Sequence, residues 1–158
     1  MGLTDAAVRA MIGNPWYSLS MLTAFVTALD QLEGVSWRDT VAALAASATS
    51  EDQARFIVAA AQMLARYHKT ITPLSVLMGR GTAIGYDKRG VIVVPAPLDY
   101  VAWTDRVADF ARRSDLKAQE RGIWLTGKIS PRAWKEMTKL GWTPPDGGRL
   151  RASQPRGR

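Results

Sequence analysis

In the first 70 residues apolar side chains recur every three or four positions, the interval that lines one face of an α-helix. Thr4-Asp5 predicts a capped start for a short helix to about Ile12, and Gly13, Asn14 and Pro15 close it. Ser18 predicts the cap of a second helix reaching Leu32, in which Leu22, Phe25, Val26 and Leu29 share a buried face. Gly34 stops it. Ser36 is expected to cap a third helix, with Trp37, Val41 and Leu44 on one side. Ser50 with Gln53 has the capping-box pattern that opens a fourth. Its apolar positions Phe56, Ile57, Ala60, Ala61, Met63, Leu64 and Tyr67 run round most of the circumference, which predicts a helix at the centre of a bundle.

The period then changes. Pro73 to Met78 reads as apolar and irregular. Thr82 to Tyr86 and Val91 to Val94 read as strands joined by Asp87-Lys88-Arg89-Gly90, a turn in which Gly90 can take a positive φ. Pro95 and Pro97 are expected to end the second strand. Asp99 is expected to cap a helix through Arg112, with Trp103, Val107 and Phe110 on one side. Ser114 to Arg121 reads as a polar linker and Ile123 to Thr126 as a third strand. Ser130-Pro131 starts a last helix, which Gly141 stops. The pattern predicts an α+β fold, mostly α. Three to four helices occupy 1–70, a small sheet with two packed helices occupies 71–143, and 144–158 is a basic tail with too few apolar residues to order itself.

Charge sharpens this picture. The chain of 158 residues has 21 basic and 14 acidic side chains, a net charge of +7. The whole excess falls in residues 117–158, where ten basic side chains face three acidic ones. Such asymmetry predicts a basic surface for an acidic partner, nucleic acid or an acidic protein surface. The absence of cysteine removes disulfides, thiol nucleophiles and cysteine metal sites. The stretch from Met1 to Ile12 lacks the apolar run of a secretory signal. The longest apolar-rich stretch, Leu19 to Leu29, is interrupted by Ser20, Thr23 and Thr27 and is too short to span a bilayer. No transmembrane segment is expected, and a cytoplasmic location is favoured.

Candidate chemistry is sparse. Gly122 and Gly127-Lys128 match the spacing of a phosphate loop, but the residues between them read as a strand and Ile129 stands where a hydroxyl would hold magnesium. A softer expectation is an anion held at the turn after that strand, by Lys128, Ser130 and Arg132 at a helix start. Arg132, Lys135 and Lys139 share one arc of the last helix, with Glu136 placed to pair with Arg132 and with Trp134 or Trp142 near for stacking. Trp37 and Trp103 are expected in the core. His68 is the one imidazole, expected to cap carbonyls at a helix end; Asp105 and Asp109 share a helix face but lie among arginines that can pair with them. No catalytic residue, metal or cofactor is expected.

The leading expectation is therefore a non-enzymatic binding module that contacts nucleic acid non-specifically through Lys128, Ser130, Arg132, Lys135, Lys139, Arg149 and Arg151. The alternatives are a protein–protein interaction or accessory domain, supported by the alanine-rich helical half, and small-anion binding at the turn.

Overall fold

The computed structural model describes residues 5–143. Four helices come first: α1 (Asp5–Ile12), α2 (Leu19–Asp30), α3 (Arg38–Ala46) and α4 (Glu51–Thr70). Strands β1 (Leu74–Gly79), β2 (Ala83–Asp87) and β3 (Ile92–Ala96) follow, then the short β4 (Tyr100–Val101) and α5 (Asp105–Ala111). A 3-10 turn at Ser114–Leu116 leads to β5 (Arg121–Leu125), β6 (Lys128–Ile129), α6 (Pro131–Lys139) and β7 (Trp142–Thr143). The fold is α+β, as the pattern predicts.

The main sheet has the order β1-β2-β3-β5-β7. β1, β2 and β3 pair antiparallel, while β3, β5 and β7 pair parallel. β4 and β6 form a separate two-rung parallel ladder. Alternate side chains of a strand leave opposite faces, and here both faces are covered. Leu74, Leu77, Ala83, Val93 and Trp124 join a core shared with α1 to α4. Ile84, Ile92, Val94 and Ile123 join a second core with Ala111, Leu116, Met137 and Trp142. The sheet is thus a middle layer, with the helical half on one face and α5, the 3-10 turn and α6 on the other.

Helix α4 fills the place its pattern predicts. Ala54, Ile57, Val58, Ala60, Ala61, Leu64, Ala65 and Tyr67 are all buried, because α2 and α3 pack on one side of it and β2 and β3 on the other. Its alanines let neighbouring backbones come close. Tyr17 closes the helical layer: its hydroxyl donates to the Ala45 carbonyl at 2.7 Å, and burial pushes its pKa up to about 12. Ser18, Ser50 and Ser130 cap their helices as expected, accepting from Met21, Gln53 and Ala133 amides.

Several expectations are corrected. Residues 73–78 are not irregular; from Leu74 on they belong to β1, which runs to Gly79. Ser36 does not cap α3. Its amide donates to Ser75 O and its carbonyl accepts from Leu77 N, both at 2.9 Å, which covers the outer edge of β1. The cap position falls to Trp37, in the left-handed region at φ 62. Trp37 is consequently off the Val41–Leu44 face and 57% exposed, not in the core. Trp103 is partly buried against the second core. Pro95 does not end β3. The Ile92 amide bonds toward β5, at Glu120 O, so amides of odd-numbered residues face β2, and the β2 ladder is registered only at Ile92 and Val93. The missing N–H of Pro95 therefore costs no rung. Asp99 caps nothing: Tyr100 and Val101 form β4, and Thr104 caps α5. The polar stretch 114–121 hides Leu116, which is fully buried.

Candidate functional site

The parallel strands β3 and β5 end on the same edge of the sheet, the edge where open α/β sheets place their ligands. The residues that follow them, 97–104 and 126–130, are tied together by the β4–β6 ladder. Lys128 N donates to Asp99 O and Ser130 N to Val101 O, both at 2.9 Å. Gly127 has no positive φ; among the described residues the glycines that do are Gly34, Gly81, Gly90 and Gly141. It is needed for closeness: a Cβ there would lie 2.0 Å from Asp99 O. The phosphate-loop spacing is accordingly a strand followed by a tightly packed turn, with Gly122 inside β5.

The expected anion turn is largely self-satisfied. The amides of Lys128 and Ser130 are spent on the carbonyls of Asp99 and Val101, and Ser130 Oγ takes the Ala133 amide at 3.1 Å. The side chains of Lys128 and Arg132 remain exposed beside it. On α6, Lys135 and Lys139 are exposed too, while Ala133 and Met137 are buried. Glu136 pairs with Lys139 at 3.0 Å rather than with Arg132. That bond, with the nearby charges of Lys135 and Arg132, holds the Glu136 carboxyl below its ordinary value. Lys128, Arg132 and Lys135 make no ion pair with a described residue. Arg149 and Arg151 lie outside the described residues.

Aromatic groups are placed differently from the expectation. Trp142 is buried, donates Nε1–H to Ala111 O at 3.0 Å and lies 4.9 Å under the Arg121 guanidinium. It is closed to any ligand, and Trp134 is only partly accessible. Arg121, counted above in the basic excess, is structural. It donates to the carbonyls of Leu116 and Leu140 and so joins the 3-10 turn to the end of α6. An exposed aromatic ring that does face a cation of this segment is Tyr100, 58% exposed and registered opposite Lys128. Helical spacing could not reveal it, because it sits on a two-residue strand.

His68 caps no carbonyl. Its Nδ1 accepts the Leu74 amide at 2.9 Å, which requires the neutral ring. Burial, then the charge of Lys69, push its pKa below the ordinary imidazole value. Asp87 is buried in the β2–β3 turn, where its Oδ1 accepts the Arg89 and Val91 amides at 2.8 and 2.9 Å and its Oδ2 takes the Arg89 guanidinium. Burial opposes its ionisation, but these bonds outweigh it and hold the carboxyl below its usual value. Asp105 and Asp109 are exposed, and no group of three metal-ligating side chains occurs among the described residues.

A cleft of about 680 Å³ opens on the same edge, between the first turns of α4 and the length of α5. Val94, Pro95, Ala96 and Ile123 line it from the sheet, Phe56 from α4, and Val107 and Phe110 from α5. Among the described residues no helix is long and apolar enough to cross a membrane. Comparison with protein-family models, with curated proteins and with solved structures finds no match.

Proposed function

We propose that this protein is a non-enzymatic binding module whose basic C-terminal helix and tail contact nucleic acid without sequence preference, single strands before duplex. One observation carries the reading. Tyr100, 58% exposed, stands opposite Lys128 on the β4–β6 ladder, and the exposed Arg132 and Lys135 continue the positive surface along α6. An exposed ring beside a track of cations suits a base stacked on the ring and phosphates held by the cations.

Titration of a fluorescein-labelled oligodeoxythymidine at two salt concentrations tests it. With Lys128, Arg132, Lys135 and Lys139 on phosphates, log K should fall against log salt with a slope of about −3 for a single strand. Replacing Arg132 and Lys135 by Ser should flatten the slope by about 1.4. Tyr100→Ser should cost about 1–3 kcal/mol of binding and leave the slope alone. Absence of binding at low salt, or an unchanged slope in the double variant, would overturn the reading.

A second reading, contact with another protein, is favoured by the helical half. Ile12 and Leu19 are 62% and 80% exposed, and they border a shallow apolar groove between α1 and α2 lined by Val8, Met11, Leu22 and Val26. Light scattering across concentration separates self-association from a monomer, and Leu19→Asp should abolish any association found.

A further inference from the structure

The cleft at the carboxyl ends of β3 and β5 does not touch the basic arc of α6, and its chemistry is different. We infer that it binds a small organic anion, a carboxylate on an apolar body. Its volume of about 680 Å³ lies inside the range of small-molecule sites, and most of its wall is apolar. Phe56 on α4 and Phe110 on α5 face it from opposite layers, so an aliphatic or aromatic body would sit between them.

Two polar groups fix the class of ligand. Thr82, in the β1–β2 turn, lines the cleft and is only 8% exposed. Its hydroxyl is buried without any hydrogen-bond partner, an uncommon state for a polar group in a folded protein. A ligand oxygen in the cleft would supply the acceptor that this hydroxyl lacks. Arg106 also lines the cleft, is exposed, and has no ion pair or hydrogen bond among the described residues. The other cation in the wall is already committed. Arg113 gives Nε and Nη2 to Asp115 at 3.0 and 2.6 Å and Nη1 to Arg80 O at 3.0 Å. One uncommitted guanidinium matches one carboxylate through paired N–H···O bonds, whereas a polyphosphate needs several cations.

The experiment uses the full chain and three probes: octanoate, 1-octanol as its uncharged counterpart, and 8-anilinonaphthalene-1-sulfonate as a fluorescent amphipathic anion. Octanoate should displace the fluorophore and raise the melting temperature, and 1-octanol should do so more weakly. Arg106→Gln should weaken octanoate binding roughly tenfold, as expected for losing a charge-assisted hydrogen-bond pair, and leave 1-octanol unchanged. Thr82→Val, which keeps the shape, should weaken octanoate several-fold without lowering the melting temperature of the unliganded protein. The Arg132 and Lys135 double variant should bind octanoate like the parent, so this result stands or falls apart from the nucleic-acid reading. Equal affinity for octanoate and 1-octanol, or an Arg106→Gln variant with unaltered octanoate binding, overturns the assignment. Unaltered affinity in Thr82→Val removes the hydroxyl from the site.

Discussion

Two glycines, Gly90 and Gly127, occupy turns for opposite physical reasons, and one pair of substitutions at each separates them. Gly90 has φ +80 and nothing within 4 Å of a Cβ placed on it. An alanine there meets only the left-handed backbone penalty, about 1 kcal/mol. Asparagine tolerates that region and should recover most of it. At Gly127 the backbone is ordinary and the space is missing. A Cβ would stand 2.0 Å from Asp99 O and 2.3 Å from Asp99 C, more than 1 Å inside normal contact, and both atoms belong to the main chain. The chain can admit it only by parting β4 from β6. That breaks the Lys128–Asp99 and Ser130–Val101 bonds, about 1 kcal/mol each net, and loosens Val101, which is 7% exposed.

The expected loss for Gly127→Ala is therefore about 2–4 kcal/mol. In a chain of this length that lowers the melting temperature by roughly 4–16 °C, against about 2–4 °C for Gly90→Ala. Asparagine should rescue position 90 and do worse than alanine at position 127. Thermal unfolding followed by far-UV circular dichroism, with urea titrations to check that the m-value is constant, measures all four variants. If Gly127→Ala costs no more than Gly90→Ala, or if asparagine is the milder replacement at both sites, the steric account of the β4–β6 ladder fails.

Two further predictions concern titration. The Asp87 carboxyl is held below its ordinary value, so its contribution is present above pH 4 and is lost as pH falls through the native-state pKa. Asp87→Asn keeps an oxygen for the Arg89 and Val91 amides and should be milder than Asp87→Ala, while removing the acid sensitivity of the turn; acid unfolding midpoints of the two variants test this. His68 has a lowered pKa, so the unfolded chain binds its proton first. Stability should be full above about pH 6.5 and decline below it. His68→Gln should lose that part of the slope in urea titrations at pH 7 and pH 5.5, and an unchanged slope would clear His68 of the role.

What could be read from the sequence follows how local each determinant is. Ser18, Ser50 and Ser130 cap their helices because the capping bond spans three residues. Helix α4 announced its central position because alanines and large apolar residues run round most of its circumference, leaving Arg55, Gln62 and Arg66 exposed. The hairpin turn at Asp87–Gly90 carried its own chemistry in the carboxylate and the glycine. Strands β4 and β7 were hidden because their pairing partners lie elsewhere in the chain: β4 exists only through β6, and β7 only through β5. β1 pairs with the adjacent β2 but was hidden because its burial does not alternate and its register shifts between Leu74 and Val76. Trp37 shows the same limit from the other side. A one-residue shift in where α3 begins moves it from the core face to solvent, and that shift is set by the Ser36 bonds to β1, not by any neighbour in sequence.

The candidate sites divide along the same line. The basic excess was visible as a count, yet a count does not distinguish cations by environment. Arg121 bonds two carbonyls and covers Trp142, so its charge serves the junction of α6 with the 3-10 turn. Lys128, Arg132 and Lys135, of the same sign and close in sequence, stand in solvent. The difference arises because Arg121 lies on β5, where the 3-10 turn and the end of α6 bring carbonyls to it, whereas Lys128 lies on the two-residue β6 and Arg132 and Lys135 on the exposed side of α6. The cleft was invisible altogether, since its lining comes from separate segments: Phe56 from α4, Thr82 from the β1–β2 turn, and Arg106 and Phe110 from α5. Both sites nonetheless lie toward one edge for a topological reason: β3 and β5 run parallel, so the segments leaving them emerge at the same end of the sheet. A ladder of two rungs, β4 with β6, then sets Val101 at the cleft and Lys128 at the basic arc. The substitution at Gly127 consequently reaches further than stability, because opening that ladder displaces one residue of each site at once.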